Sequence, residues 1–206
     1  MDVDSTLVQE EVIDLLGDEA GVGQQVADIT ERAMRGELDF RQALEERVAT
    51  LEGLPESIFD KVYARIHFNK NAKELVAELH ARGYKVGLVS GGFHETVDRL
   101  AAEAGIDYVK ANHLEVVDGV LTGKTYGDIV TKEIKVQKLR DWAVENELVL
   151  SQTIAMGDGA NDLPMIHEAG IGIAFCAKPI VRQQALYQIN EPDLYKVIEI
   201  LDEVKK

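Results

Sequence analysis

From residue 71 onward, short apolar runs alternate with segments of helical periodicity, and this alternation restricts the possible folds more than any other feature of the sequence. The apolar runs Tyr84–Val89, Thr153–Met156 and Ile171–Phe175 contain only a few residues each and are separated by longer helical segments. Strands this short and this uniformly apolar are typical of a parallel sheet that is covered by helices on both faces. The sequence therefore predicts an α/β fold.

An all-helical block near the start of the chain interrupts this alternation. Helical periodicity predicts helices in four segments with no strand between them, namely residues 8–16, 18–35, 39–51 and 55–66. We interpret the block as an inserted helical cap spanning 14–67, with the core formed by 1–13 and 68–206. Within the core, the alternating stretch His113–Tyr126 around Asp118-Gly119 predicts a hairpin.

Charge and composition exclude several classes of function. The net charge of −15 argues against nucleic-acid binding, which requires a basic surface. The charged first residues are unlike a signal peptide, and no run approaches the ~20 apolar residues that span a bilayer. The only cysteine, Cys176, cannot form an intramolecular disulfide and fits a reducing cytoplasm; we interpret it as a small buried filler rather than a nucleophile. Composition does not predict the oligomeric state.

Two acidic segments are candidates for catalysis. Asp2 and Asp4 can face one site in an extended segment, although an exposed tail or a helix cap would give the same motif. Two close carboxylates repel each other unless a divalent metal binds or one carboxyl keeps its proton, which makes it a general acid. Both arrangements suit phosphoryl transfer, and hard oxygen ligands favour Mg²⁺. Asp158 follows a predicted strand between two glycines, where ligands of parallel sheets bind. Alternatively, Asn161 or Asp162 could simply cap the next helix.

A serine loop and one lysine could hold a phosphate. Ser90-Gly91-Gly92 ends a predicted strand, where a hydroxyl and free backbone N–H groups could cradle phosphate oxygens, although a plain turn would look the same. Lys135 shares a helical stripe with Leu139 and Trp142 that should face the core, so it needs an anionic partner. Lys132 and Lys138 are alternative candidates.

Two cap helices carry charges on faces that should be buried. Arg47 lies three residues after Leu44, and Glu11 lies three residues after Val8, so each charge lies on or beside an apolar stripe. An arginine in a polar cavity could bind a carboxylate or phosphate, and a glutamate could bind an ammonium group. The pair favours a zwitterionic phosphate ester as substrate. The alternative is that the Arg47 stem lies along the apolar surface and that Glu11 lies at a helix edge.

These segments occur in the order of the four motifs of the haloacid dehalogenase superfamily, and the sequence resembles its phosphoserine phosphatase family over essentially its whole length. The segments that carry the closer resemblance are Asp4-Ser5-Thr6, Met34-Arg35-Gly36, Phe40, Arg47-Val48, Val89-Ser90-Gly91-Gly92-Phe93, Gly157–Asp162 and Ala174-Phe175-Cys176-Ala177-Lys178-Pro179. The resemblance implies a Rossmann-like core with a small helical cap. It also implies Mg²⁺-dependent hydrolysis of O-phosphoserine, the last step of serine biosynthesis.

The resemblance also implies a role for each matching residue. Asp2 would be the nucleophile that becomes phosphoaspartate, and Asp4 the general acid. Mg²⁺ would be bound by Asp2, Asp158 and the main-chain carbonyl of Asp4, with support from Asp162. The phosphoryl group would be held by Ser90, Gly91 and Lys135 and oriented by Asn161. Glu11 and Arg47 would recognise the substrate's ammonium and carboxylate, and Met34 and Phe40 would form an apolar lining.

One feature departs from the family pattern. The family has a full apolar strand before its nucleophile, whereas only Met1 precedes Asp2. A chain without that strand should be destabilised, and its nucleophile should be poorly held. Two alternatives to phosphoserine hydrolysis therefore stay open. One is an enzyme of the same fold acting on another phosphomonoester, including a phosphotransferase that uses an alcohol such as homoserine. The other is an inactive ligand-binding relic.

Overall fold

The computed structural model describes residues 1–204 as a layered α/β core with a helical cap. The helices are α1 Val12–Glu19, α2 Gly23–Met34, α3 Phe40–Ala49, α4 Ile58–Tyr63, α5 Ala72–Ala81, α6 His94–Ala104, α7 Lys132–Glu145, α8 Leu163–Glu168, α9 Pro179–Gln184 and α10 Lys196–Val204, with a 3₁₀ turn at Leu150–Gln152. The strands are β1 Gly87–Phe93, β2 Tyr108–Val117, β3 Val120–Tyr126, β4 Ile154–Gly157, β5 Ile171–Phe175 and β6 Tyr187–Ile189.

The strands form two three-stranded sheets, and the first residues of the chain join them. The orders are β1-β2-β3 and β4-β5-β6, with only the β2–β3 pair antiparallel. The Met1 carbonyl accepts a hydrogen bond from the Val89 N–H at 3.0 Å, and the Asp2 N–H donates to the Met156 carbonyl at 3.0 Å. The start of the chain therefore lies between β1 and β4, and the predicted α/β class is confirmed.

An apolar cavity of about 660 Å³ lies where β1 and β4 face each other beside Met1. The Met1 ammonium donates to the Gly87 carbonyl at 2.6 Å, and Leu79 and Trp142 contribute apolar walls. Among the described residues, the backbones of β1 and β4 are not paired directly with each other.

The cap helices pack on the hairpin as well as on one another. Their buried cluster includes Leu16, Val48 and Phe59 from the cap, together with Leu114 and Leu121 from β2 and β3. The backbone of Leu121 also exchanges hydrogen bonds with the cap segment that follows α3. The hydrophobic contacts thus cross the predicted boundary, and the division into 14–67 and the remaining core stays a prediction.

The two chain segments that enter and leave the cap run side by side. The Gln9 N–H donates to the His67 carbonyl at 2.9 Å. The buried Asn69 amide donates to the carbonyls of Thr6 at 2.8 Å and Val8 at 3.2 Å. Buried backbone carbonyls must be paired, so Asn69 fixes both segments at the base of the cap.

Local sequence explains several element boundaries. Asp39 and Gln42 form a reciprocal capping box at the start of α3, and the Thr131 side chain caps α7 by accepting from the Ile134 N–H. Asp118 and Gly119 both have positive φ, as the tight turn of the predicted hairpin requires. In the described chain, no helix combines the length and apolar character needed to cross a membrane.

The interpretation of Cys176 as a buried filler is wrong. The buried strand β5 ends at Phe175, and the chain turns at Cys176 with a φ of 42° and an exposed side chain. The Cys176 N–H donates to the Ile189 carbonyl, which aligns the turn with β6. The apolar run therefore ends one residue earlier than its composition indicates.

Candidate active site

A buried ionic cluster lies at the carboxyl end of the sheet. The Lys135 ammonium donates to Asp2 Oδ1 at 2.8 Å and to Asp162 Oδ1 at 2.7 Å. Lys135 is only 1% exposed and Asp2 is 6% exposed. A buried lysine is tolerated only when it is paired, and here the two carboxylates raise its pKa against the opposing effect of burial. The expectation that Asp2 is poorly held is wrong, because its side chain accepts from Lys135 and its backbone N–H donates to the Met156 carbonyl.

The glycines around Asp158 make this cluster possible. A Cβ atom on Gly157 would lie 2.3 Å from Asp162 Cγ, and one on Gly159 would lie 2.3 Å from Asn161 Oδ1. The Gly159 N–H also donates to Asp162 Oδ2 at 3.1 Å. Both Asp162 carboxylate oxygens already accept hydrogen bonds from protein donors. Asp162 is therefore better suited to supporting the residues of a metal site than to supplying the main ligand of the ion.

Asp2, Asp158 and Asp162 bring their carboxylate oxygens within 4.8 Å of one another, and all three residues are buried. Burial and then repulsion from Asp2 and Asp162 raise the pKa of Asp158 to about 7. Burial and Asp2 raise the pKa of Asp162 to about 6, against the opposing effect of Lys135. Oxygen ligands with excess negative charge are the donor set that a hard divalent cation requires, so the residues fit such an ion.

Asp4 has the environment of a general acid. Its Oδ1 atom is buried and has no protein partner among the described residues. Burial, and then the charges of Glu11 and Asp2, raise its pKa well above the usual value, while the Val12 N–H at the start of α1 opposes the shift. A raised pKa favours the protonated form of a carboxyl group, and that form can donate its proton to a leaving oxygen.

The segment Ser90-Gly91-Gly92, which we call the serine loop, belongs to the last part of β1 rather than following the strand as predicted, and its pairing with β2 is irregular there. Ser90 is buried, and its Oγ accepts from the Gly92 N–H at 2.9 Å. A Cβ on Gly92 would lie 3.4 Å from Asp4 Oδ2, so the loop closely approaches the Asp4 carboxyl group. These contacts place Ser90 and Gly92 beside Asp4. The order of the motifs along the sequence does not indicate this proximity.

Asn112 holds this loop, and our sequence reasoning did not identify it. Its buried amide donates to the Gly91 carbonyl at 2.8 Å and accepts from the Val130 N–H at 2.8 Å. The available signal was an asparagine directly after the strand run Tyr108–Ala111. An asparagine inside a buried element needs an acceptor for its side-chain NH₂ group and a donor for its side-chain oxygen.

Arg47 and Glu11 face the same cleft from the cap side. Burial lowers the pKa of the Arg47 guanidinium, while the charges of Asp14, Glu11 and Asp4 oppose the shift. Glu11 is open to solvent, but its pKa is raised, first by burial among the surrounding groups. Glu11 also accepts a hydrogen bond from the Ser5 hydroxyl at 2.7 Å, a contact our sequence reasoning missed.

The other predicted site residues, Phe40, Met34 and Asn161, differ in their exposure and in their contacts with the site. Phe40 is 39% exposed, and its ring would be 3.4 Å from a Cβ on Gly91, so it lies over the serine loop. Met34 ends α2 and is 83% exposed, so it makes no buried lining here; its predicted role stays a prediction. Asn161 is half-buried and folds over Gly159.

Lys178 adds positive charge at the rim of the cleft. Its charge lowers the pKa of both Glu11 and Asp158, although larger effects raise both values. Its N–H donates to the Asp158 carbonyl at 3.0 Å, which ties the turn after β5 to the acidic loop. In a molecule of net charge −15, such local cations must provide the attraction for an anionic ligand.

Comparison with known proteins gives a consistent result. Residues 1–167 match the family model for haloacid dehalogenase-like hydrolases. A phosphoserine phosphatase from Streptococcus thermophilus is 85% identical over 206 residues, covering 100% of this chain and 96% of that protein. One from Lactococcus lactis is 58% identical, covering 99% of this chain and 94% of that protein.

Solved structures agree with these sequence matches. A substrate-bound phosphoserine phosphatase complex superimposes with a TM-score of 0.90 at 42% identity, covering 97% of this chain and 95% of the other. A phospho-aspartyl intermediate analogue of phosphoserine phosphatase gives a TM-score of 0.90 at 43% identity with the same coverage.

Proposed function

Because the chain belongs to the haloacid dehalogenase superfamily and, within it, to the phosphoserine phosphatase family, we propose that it hydrolyses O-phosphoserine to serine and inorganic phosphate. The observation that carries this proposal is the buried Lys135–Asp2 pair at 2.8 Å beside Asp4, a carboxyl group whose pKa is raised by burial and by the charges of Glu11 and Asp2. It supplies a fixed carboxylate nucleophile and a proton donor in one cleft. The single cysteine supports a cytoplasmic location.

The proposed reaction has two steps. An Asp2 carboxylate oxygen attacks phosphorus, the bond from phosphorus to the serine oxygen breaks, and Asp4 gives its proton to that oxygen. Asp4 is then a base, and it takes a proton from the water that attacks the phosphoaspartate. Phosphate leaves and Asp2 is regenerated. Lys135 balances the negative charge of Asp2 and of the transferring group.

We assign the cation site to Mg²⁺, held by Asp2, Asp158 and the main-chain carbonyl of Asp4, with Asp162 in support. When bound, the ion supplies positive charge that stabilises the oxygens of the transferring phosphoryl group. The phosphoryl group itself would be held by Ser90, Gly91 and Lys135, and Asn161 would orient it. Phe40 would exclude water when the cap is closed.

The ends of the substrate would be recognised from the cap side of the cleft. The Arg47 guanidinium can bind a carboxylate through two parallel hydrogen bonds, which an ammonium group cannot do. Glu11 would accept the substrate's ammonium group. The charges of Arg47 and Glu11 therefore match the two ends of a phosphorylated amino acid.

A phosphate-release panel of small phosphomonoesters tests the proposal. We expect O-phosphoserine to rank first in kcat/KM in the presence of Mg²⁺. Arg47→Ala should remove that preference while p-nitrophenyl phosphate, which has no carboxylate, is still hydrolysed. Arg41→Ala, an exposed residue of the same helix, is the matched control and should leave the ranking unchanged. A flat panel for the unaltered protein would refute the substrate assignment, and phosphate transfer to an added alcohol would indicate a phosphotransferase.

A further inference from the structure

Glu11 directly precedes α1, and its side chain is exposed. Burial among the surrounding groups raises its pKa, the Ser5 hydroxyl and the charge of Lys178 oppose the shift, and the charges of Asp2 and Asp14 add to it. A long, exposed side chain loses rotamer freedom when it is ordered, so a hydrogen-bond donor is needed to hold it in one position. A residue that must receive an ammonium group therefore needs a partner that fixes its position.

Ser5 is that partner in the structure. Its hydroxyl donates to Glu11 Oε1 at 2.7 Å, and its N–H donates to the Glu10 carbonyl at 3.2 Å. Ser5 has a φ of 54°, in the left-handed region that residues other than glycine, asparagine and aspartate seldom adopt. Strained backbone conformations of this kind persist where the surrounding structure requires them, and they are common at functional sites.

We propose that Ser5 is a positioning residue for substrate recognition, which holds the Glu11 carboxylate where the ammonium group of the substrate binds. This inference rests on the proposed function. The hydrogen bond occupies Oε1 and leaves Oε2 free to accept from the ammonium group. Ser5 follows Asp4 directly in the chain, so the same backbone segment orients the general acid and the specificity residue.

The proposal predicts different effects on substrate binding and on phosphate transfer. Removing the hydroxyl frees Glu11 to move, so substrate binding should weaken while the transfer of phosphate from a bound substrate continues. The matched probe is 3-phosphooxypropanoate, which is O-phosphoserine without its amino group. A general disturbance of the loop would affect both substrates, whereas loss of Glu11 positioning affects only the one that carries an ammonium group.

The experiment measures kcat and KM of Ser5→Gly and Ser5→Ala with both substrates. Both variants lose the hydroxyl, but only Ser5→Gly also relieves the left-handed backbone, so agreement between them assigns the effect to the hydrogen bond. We expect KM for O-phosphoserine to rise about tenfold, as for a lost hydrogen bond to a charged group, with kcat within about twofold. The constants for 3-phosphooxypropanoate should change by less than about twofold.

A double-mutant cycle completes the test. In a Glu11→Gln background, Ser5→Gly should cause no further change in KM for O-phosphoserine. Ser57→Gly, in an exposed part of the cap, is the control for loss of a serine. Equal effects on both substrates, no effect on either, or a full effect in the Glu11→Gln background would overturn the proposal. If the unaltered protein hydrolyses 3-phosphooxypropanoate as well as O-phosphoserine, the assignment of phosphoserine fails, and this inference fails with it.

Discussion

At the scale of single residues, the buried Lys135 ammonium is the group on which the site depends most. Lys135→Met removes the cation from Asp2 and Asp162 and leaves two carboxylates uncompensated. Breaking a buried ion pair in this way costs about 3–5 kcal/mol of unfolding free energy, and turnover should be lost with it. Urea unfolding of the metal-free protein measures the effect. Lys138→Met, on the same helix but paired only with the partly exposed Asp141, should change stability by less than about 1 kcal/mol.

The raised pKa of Asp158 predicts how cation binding depends on pH. In the metal-free protein this carboxyl releases its proton only near pH 7, so below that value a divalent cation must displace the proton. The affinity for Mg²⁺ should therefore fall by up to about tenfold per pH unit as the pH drops below 7. The increase in melting temperature on adding Mg²⁺ should accordingly be larger at pH 7.5 than at pH 5.5. An increase that is independent of pH would contradict the assignment of Asp158 to the cation site.

At the scale of elements, Asn112 shows how a strand positions the site without contacting a reacting atom. Asn112→Ala leaves the Gly91 carbonyl and the Val130 N–H without partners, which costs about 1–3 kcal/mol. The released loop should also lower kcat. Chemical denaturation and steady-state kinetics measure the two effects. Asn146→Ala, which breaks hydrogen bonds at the far end of α7, should lower stability but leave kcat unchanged.

The sequence predicted the elements that carry strong local signals. His94–Ala104, Ile171–Phe175 and the hairpin around Asp118-Gly119 appear as predicted, because periodicity and turn residues determine them locally. Lys135 was recognised because a charge on an apolar stripe is a local anomaly. Asn112 was missed because its partners lie on other segments beside the sheet, and Ser5 was missed because its partner lies across a strained turn. Neither contact produces a periodic pattern in the sequence.

At the scale of the whole molecule, the two sheets are joined by backbone hydrogen bonds to the first residues of the chain and by buried side chains that pack in shared clusters. Val3 lies in the same buried cluster as Leu88 of β1 and Met156 of β4, so one hydrophobic core extends across both sheets. The two sheets should therefore unfold in a single cooperative transition. Urea denaturation followed by circular dichroism and by the fluorescence of Trp142 measures this, and separate transitions for the two signals would contradict it.

The central claim is that phosphate passes through a covalent bond to Asp2. The direct measurement is to quench the enzyme in acid during turnover of O-phosphoserine, reduce with borohydride, and locate the modified residue by peptide mass spectrometry. Reduction of an acyl phosphate at Asp2 should convert that residue alone to homoserine, and Asp2→Asn should give neither modification nor phosphate release. Modification at another carboxylate, or unimpaired phosphate release by Asp2→Asn, would contradict the account.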